Sequence, residues 1–497
     1  MSKFPYLWPD FLASIVVFLV AVPLCVGVAV ASGVPAELGL VTGIVGGLVT
    51  GLMPGSSLQV SGPAAGLTVL VFETVSKFGL ATLGVIVLMT GLLQHALGLF
   101  GLGRWFRAIS VAVVQGMLCG IGLVIIAGQI YTVAGFTAPE TCIGKIVGLP
   151  GALANALGKQ GAVSSLAIGA GTIAVIVLWK RLPRALQSVP GALAAVILAT
   201  VASQAFSLPV ATVKVQGLLG VMQPPGTEAF GELASPAIWG TIAAFALIAS
   251  AESLFSAAAV DRLHDGPRTE YNKEVIAQGT GNTVCGVLGA LPMTAVIVRS
   301  STNVQAGART KASRVMHGVW LLLFAALLPA TLALIPLPAL AGILVHAGFK
   351  LIPFRQIVSL WRGQRSEALI LVATAVSIVT LNMFEGVLIG LALSVAKTAW
   401  EASHVKLEVI DKSAGRIQAC LSGHATFLVL PKILDSLEAL PQDRPVELDL
   451  SGLHHLDHTC RTALKTWAER HSVKGTEPVR VTEGAKAIPL LRRGSRP

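Results

Sequence analysis

Glu252 is the residue in this chain with the most chemistry to offer. It follows Phe245-Ala246-Leu247-Ile248 inside a long apolar run, with Ser256 one helical turn further on. A carboxyl group within a membrane-length segment is rare and marks an ion pathway by default. Apolar surroundings favour its neutral form, so it can take up and release a proton. A second set of polar groups stands in two interrupted stretches. One is Gly55-Ser56-Ser57-Leu58-Gln59-Val60-Ser61-Gly62-Pro63-Ala64-Ala65-Gly66, the other Thr294-Ala295-Val296-Ile297-Val298-Arg299-Ser300-Ser301-Thr302-Asn303. Each reads as a few extended residues (Leu58 to Val60; Val296 to Val298), then small polar residues suited to open a short helix. Ser61 is placed to N-cap the first helix, with Pro63 near the first helical position, where a missing N–H costs nothing. Ser300, Ser301 and Thr302 offer the second helix the same capping chemistry.

A helix N-terminus carries unpaired N–H groups and about half a positive charge, which suits an anion. Ser61, Gly62, Pro63, Ala64 and Ala65 on one side, and Ser300, Ser301, Thr302 and Asn303 on the other, are therefore candidate substrate contacts. Arg299 would add positive charge. Cys25, in the first apolar run, is a further candidate that core packing also explains. Glu252 and Ser256 are the candidate coupling-ion pair; one carboxyl and one hydroxyl make a thin cage for sodium, so the expected ion is a proton. Plainer roles compete: loops between ordinary helices, simple caps, a snorkelling arginine, a structural hydrogen bond for Glu252. A pair of broken helices, one in each half of a membrane protein, is nonetheless the best sequence pointer to a transporter's binding site.

The elements that must hold these residues are membrane helices. Of 497 residues, 54% are hydrophobic and 12% charged, about half the charge of a soluble chain. Apolar runs fall near 11–31, 38–53, 81–100, 109–129, 163–179, 190–206, 236–258, 275–291, 316–335, 338–350, 367–381 and 384–397. Short helices near 63–75 and 301–310 bring the expectation to 14 transmembrane segments. Basic residues cluster at Lys3, Arg104 and Arg107, at Lys180, Arg181 and Arg184, at Arg262, Arg268 and Lys273, and at Arg309, Lys311 and Arg314. With 14 spans they share one side, which puts both termini in the cytoplasm. The two short helices then run from mid-membrane in opposite directions, which implies two seven-segment inverted repeats, roughly 10–206 and 236–397. Asp261 and Glu274, among cytoplasmic arginines, read as loop salt-bridge partners.

After about residue 400 the composition changes. Residues 1–400 carry 22 Lys and Arg against 13 Asp and Glu; residues 401–497 carry 14 against 12. Short strands are expected at Val405–Ile410, Phe427–Leu430 and Val446–Leu450, and helices near Lys432–Leu440 and Thr459–Arg470, which makes a small cytoplasmic α/β domain. The six cysteines show no metal spacing, and no nucleophile–base pair or phosphate-binding glycine loop suggests an enzyme. No cofactor is expected. No basic patch interleaved with aromatics suggests nucleic acid.

Several motifs together resemble the sulfate permease (SulP) family of anion transporters. They are Pro9-Asp10-Phe11-Leu12-Ala13 with Pro23, Glu252-Ser253-Leu254-Phe255-Ser256-Ala257 with Asp261-Arg262, and Asn272-Lys273-Glu274-Val275-Ile276-Ala277-Gln278-Gly279-Thr280-Gly281-Asn282. Arg299-Ser300 with Asn303-Val304-Gln305-Ala306-Gly307-Ala308-Arg309-Thr310 resembles the family's tenth helix. Glu447-Leu448-Asp449-Leu450-Ser451-Gly452-Leu453 with Asp457-His458-Thr459 resembles its C-terminal STAS domain. The resemblance implies a transmembrane domain, 1–400, with a core (segments 1–4 and 8–11) and a gate (5–7 and 12–14), short strands before helices 3 and 10, and a STAS domain, 401–497. It also implies elevator-like carriage of a small anion by a homodimer in a bacterial inner membrane, with the coupling ion at Glu252. A dicarboxylate such as fumarate comes first as substrate, with bicarbonate or sulfate, possible sodium coupling, a nucleobase-type symporter and a STAS-linked membrane sensor as alternatives. The STAS domain would regulate through a cytoplasmic protein partner or simply dimerise. Three positions depart from the family pattern: Leu24 stands where a Gln is common, Asp457-His458-Thr459-Cys460 replaces the usual STAS loop, and the arginine before the tenth helix is offset.

Overall fold

In the computed structural model, which describes residues 6–104, 110–139, 141–156, 161–179, 181–183, 189–412, 416–441, 444–474 and 477–482, helix dominates as far as residue 402. Lys3, Arg107, Lys180 and Arg184 of the basic clusters lie outside the described residues. The chain forms two compact units, Met1–Leu391 and Ala392–Pro497.

The first unit opens with α1 (Leu7–Ala31) and α2 (Ala36–Val45), the latter continuing as a π-helical turn to Thr50. β1 (Ser61–Pro63), a 3-10 turn (Ala65–Leu67) and α3 (Thr68–Leu99) follow. α3 bends at Gly79, where φ is +83°, a conformation that only glycine adopts without strain. Its two limbs are the expected separate runs. Then come α4 (Val111–Val133), the short α5 (Cys142–Val147) and α6 (Leu149–Ala156), α7 (Ala162–Trp179), α8 (Gly191–Ala205), and the short α9 (Leu218–Val221) and α10 (Thr227–Gly231). The second half runs α11 (Pro236–Val260), α12 (Tyr271–Val287), β2 (Met293–Ala295), α13 (Ile297–Gln305), α14 (Ala312–Leu327), α15 (Pro329–Leu332), α16 (Leu337–Leu351), α17 (Phe354–Gly363), α18 (Arg365–Thr380) and α19 (Met383–Ala402). Among the described residues, seven helices are long and apolar enough to cross a membrane, and shorter apolar helices such as Gly191–Ala205 and Ala312–Leu327 accompany them.

The helices pack in two groups. α3 lies along α12 and α11, while α1 packs on α2, α13 and α14; α4 packs on α16 and α18, and α7 on α8 and α16. Small residues let these backbones approach closely. A methyl group at Gly91 of α3 would sit 2.4 Å from the Thr283 nitrogen and 2.6 Å from the Gly279 carbonyl of α12. Asp10 ties the start of α1 to the segment after α13: its carboxylate accepts from the Arg309 and Thr310 N–H groups at 2.6 and 3.1 Å, and from the Thr310 hydroxyl.

Two local expectations change. The extended residues of the breaks are not Leu58–Val60 and Val296–Val298 but Ser61–Pro63 and Met293–Ala295, which pair antiparallel with Ser61 opposite Ala295, Gly62 opposite Thr294 and Pro63 opposite Met293. Pairing across the molecule, not β-propensity, chooses the strand. The short helices shift with it, to a start at Ala65 and to Ile297–Gln305. Glu274 is buried rather than in a loop salt bridge. It accepts from the Ser56 N–H and the Gln278 amide, both at 2.8 Å, whereas Asp261 accepts from the Thr269 N–H and hydroxyl and lies 3.9 Å from His264 Nε2 in its loop.

The second unit, apart from the end of α19, is a four-stranded sheet, β3 (Val405–Lys412), β4 (Arg416–Ala425), β5 (Val446–Leu456) and β6 (Arg480–Thr482), with α20 (Leu430–Glu438) and α21 (His458–Lys474). β3 and β4 are antiparallel; β4, β5 and β6 are parallel. The strand expected at Phe427–Leu430 is instead the entry to α20. The strand is Arg416–Ala425, where Ile417, Ala419 and Leu421 alternate into a core shared with Leu448, Leu464 and Trp467.

The α3–α12 contact leaves no room for a side chain. Gly91→Val is expected to destabilise the protein by about 1–3 kcal/mol, read as a lower melting temperature in detergent. Gly171→Ala on α7, where a methyl group meets nothing within 4 Å, is expected to leave it unchanged.

Candidate functional site

The ladder between β1 and β2 brings the two interrupted stretches together. Val296 N–H donates to the Val60 carbonyl at 2.9 Å and extends the pairing by one bond. Because the strands are antiparallel, the chains leaving them turn opposite ways: one enters the 3-10 turn and α3, the other begins α13 after Val296. The first N–H groups of each helix have no intrahelical partner, so both positive ends meet at the ladder.

The ladder is bolted to its neighbours by side chains. Asn282 of α12 clamps Met293 from both sides, accepting from its N–H at 2.7 Å and donating to its carbonyl at 3.2 Å. The same Nδ2 donates to Gln94 Oε1 at 2.8 Å, and Gln94 donates on to the Ser250 hydroxyl at 3.1 Å. Gln278, one turn earlier on α12, donates to the Ser61 hydroxyl at 2.7 Å. Ser253 of α11 accepts from the Ala295 N–H at 3.1 Å, and its carbonyl accepts from Gln59 at 2.8 Å. Arg314 donates to the Gln59 and Met53 carbonyls at 3.3 and 3.0 Å.

The capping expectations do not hold. Ser61 lies in β1, its backbone paired with Ala295 and its hydroxyl engaged by Gln278, and Ala64 rather than Ser61 precedes the first helical turn. Pro63 ends the strand. Ser300 lies inside α13 and is fully buried. Its hydroxyl donates to the Val296 carbonyl at 2.8 Å and accepts from the Val60 N–H at 2.9 Å, stitching the two breaks together. Ser301 and Thr302 donate to the Val298 carbonyl in the first turn at 3.0 and 2.8 Å, so their hydroxyl protons are already committed within α13. Asn303 donates to the Leu58 carbonyl at 2.9 Å and accepts from the Ser313 hydroxyl.

Two ionisable groups address one rung of the ladder, Gly62 opposite Thr294. The Arg299 guanidinium fills the space where Gly62 lacks a side chain: a methyl group there would lie 2.2 Å from its Nη1. Arg299 is fully buried, and none of its three guanidinium nitrogens has a hydrogen-bond partner among the described residues. The Cys25 thiol and the His317 ring, both fully buried, face it from α1 and α14. Across the rung, the Glu252 carboxyl meets the Thr294 hydroxyl and lies against Gly66 in the first turn leading to α3. A methyl group on Gly66 would come within 2.5 Å of Glu252 Oε2, so only glycine leaves room for the carboxyl there. Oε2 is buried without a hydrogen-bond partner among the described residues. Ser256 is buried one turn further along α11.

The structure therefore gathers Ser61, Gly62, Glu252, Arg299, Ser300 and Cys25, while the hydroxyls and amide of Ser301, Thr302 and Asn303 bond elsewhere. Gln278 and Asn282 were missed as site-builders, although two amides four residues apart in an apolar run were a readable signal; His317 carried no such signal. Among the described residues no cluster of His, Cys, Asp and Glu fits a metal ion. A helix-end pair with one buried cation and one buried carboxyl can hold an anion together with a proton.

The family model described as "Sulfate permease family" matches residues 7–374. YvdB of Bacillus subtilis, whose name assigns it provisionally to sulfate transport, is 29% identical over 78% of this chain and 72% of its own length. The bicarbonate transporter BicA of Synechocystis is 26% identical over 85% of this chain and 78% of its own. The overall structure of SLC26A9 superposes with a TM-score of 0.78 at 17% identity, over 97% of this chain and 85% of that one, a likeness of fold.

A buried guanidinium without a partner is destabilising. Arg299→Met, which keeps most of the volume, is therefore expected to be more stable than the parent by about 1–4 kcal/mol, read as a higher melting temperature in detergent at low anion concentration. A lower melting temperature would mean that Arg299 is already compensated inside the protein.

Proposed function

We propose that this chain, which belongs to the sulfate permease family, is a secondary active transporter of a small oxyanion, bound between the N-termini of α3 and α13 and coupled to protons through Glu252. It is a multi-pass membrane transporter and not an enzyme. The observation that carries the substrate site is the single rung where Arg299 and Glu252 meet the ends of two oppositely directed helices. The anion would answer the helix ends and the guanidinium; a proton on Glu252 would keep that carboxyl from repelling it. Ser61, Gly62, Pro63, Ala64, Ala65 and the backbone of Ser300 through Asn303 surround the place, and Cys25 stands behind Arg299. Ser256 is the second member of the coupling-ion pair.

The packing of α3 on α11 and α12 and of α1 on α2, α13 and α14, beside that of α4 on α16 and α18 and of α7 on α8 and α16, supports a core that carries the site past a gate, in an elevator-like motion across 14 spans. The antiparallel ladder supports two inverted repeats. The sheet and helices of Ala392–Pro497 support a STAS domain, the module through which a homodimer or a cytoplasmic partner would act. Both termini would be cytoplasmic, in a bacterial inner membrane. The named relatives favour bicarbonate or sulfate over fumarate.

In proteoliposomes with an inward proton gradient, one of labelled bicarbonate, sulfate or fumarate is expected to accumulate severalfold above the level reached without the gradient. Glu252→Gln should lose that dependence. Gradient-independent flux with an unchanged mutant would assign Glu252 a structural role and reopen sodium as the coupling ion.

A further inference from the structure

Two cavities lie one behind the other along α3, and Phe72 lines both. One, of about 570 Å³, is bounded by Glu73, Ser76 and Lys77 of α3 and by Thr380 to Asn382 between α18 and α19. The other, of about 320 Å³, is bounded by Thr68 of α3, Gln129 and Thr132 of α4, and Lys145 of α5. Phe72 is therefore a wall between them. Its ring rests on Gly33, where φ is +73° and a methyl group would lie 3.2 Å from Cδ2. Lys145 Nζ stands 4.7 Å from the ring centroid.

The smaller cavity is built as a site. Lys145 is 7% exposed, so a cation is held almost out of solvent at its edge. Thr68 is 5% exposed, and its hydroxyl has no hydrogen-bond partner among the described residues. It is also the first residue of α3, at the positive end of the limb that runs to Gly79. Among the described lining residues Lys145 is the one charged group. A cation, an unsatisfied hydroxyl, an amide and a second hydroxyl around a small chamber are the donors a small oxyanion needs.

We propose that this chamber is a second anion subsite, shared by the two helix groups. Lys145, Thr68, Gln129 and Thr132 hold one small oxyanion there, and Phe72 is the door to the larger cavity. An arriving anion draws Lys145 off the aromatic face and into the chamber, which frees the ring to move; when the anion leaves, the cation returns and the door is held shut. The direction of passage rests on the transporter reading above, but the subsite's preference for negative charge does not.

The test uses the full-length protein in liposomes, with its native cysteines replaced and Gln129→Cys introduced. Modification rates are compared for an anionic and a cationic methanethiosulfonate reagent of similar size. The anionic reagent is expected to react about tenfold faster, sulfate or bicarbonate should slow it, Lys145→Gln should abolish the preference and Lys145→Arg should keep it. Phe72→Ala should speed both reagents. Equal rates, or a preference indifferent to Lys145→Gln, would overturn the subsite, as would a cysteine that stays inert even with Phe72→Ala. Labelling needs no flux, and uptake is read on the parent protein with its cysteines intact: absent uptake with the preference intact refutes transport alone, and intact uptake without the preference refutes the subsite alone.

Discussion

Three residue pairs, Ser61–Pro63 against Met293–Ala295, are the constraint on which the first unit depends. A helix interrupted inside lipid leaves backbone N–H and C=O groups that cannot find water, and each unsatisfied group is expensive. Here each break satisfies the other. The surrounding polar side chains serve the same end: Asn282 and Ser253 complete the outer bonds of β2, Gln278 holds Ser61, and Ser300 ties α13 to Val60. These bonds come from α11, α12 and α13, which lie close because glycines such as Gly91 admit them. Once the ladder is closed, two helix ends of the same sign are forced together, and the site is electropositive before any side chain is added.

The ionisable groups then act on a prepared field. Arg299 reinforces it from the Gly62 side, and Glu252 opposes it from the Thr294 side. Both lie against glycines, at places where any larger residue would displace them. Neither group can move far without disturbing the ladder, so in the proposed function one rigid rung would link occupation by an anion to the protonation of Glu252. Arg299 is fully buried beside the Cys25 thiol, with no carboxylate paired to it among the described residues, an arrangement that costs stability.

Much of this was legible in the residues, because membrane helices announce themselves by length and apolarity, and a carboxyl such as Glu252 is conspicuous within them. The breaks themselves were visible as runs of small polar residues. What escaped was decided by partners distant in sequence. Leu58–Val60 and Val296–Val298 have the better strand composition, yet the pairing runs through Ser61–Pro63 and Met293–Ala295. Ser61 and Ser300 looked like helix caps, but their hydroxyls are claimed by Gln278 and by the other break. Glu274 reads as a loop residue among arginines, but it is buried, held by the Ser56 N–H and the Gln278 amide. In the second unit, Arg416–Ala425 hid its strand behind Gln418, Cys420 and Ser422, the outward positions of a period-two pattern, while Phe427–Leu430 had the more apolar composition and became the entry to a helix.

The most direct test of the ladder as an anion site is equilibrium binding of labelled bicarbonate, sulfate and fumarate to the purified protein, with Gly62→Val and Gly66→Val measured beside it. The expected result is saturable binding of one of these anions, with about one equivalent per chain lost in both variants while they remain folded and monodisperse, and only the share held by the Lys145 chamber left. Undiminished binding in the two variants, or no saturable binding of any oxyanion to the parent, would contradict it.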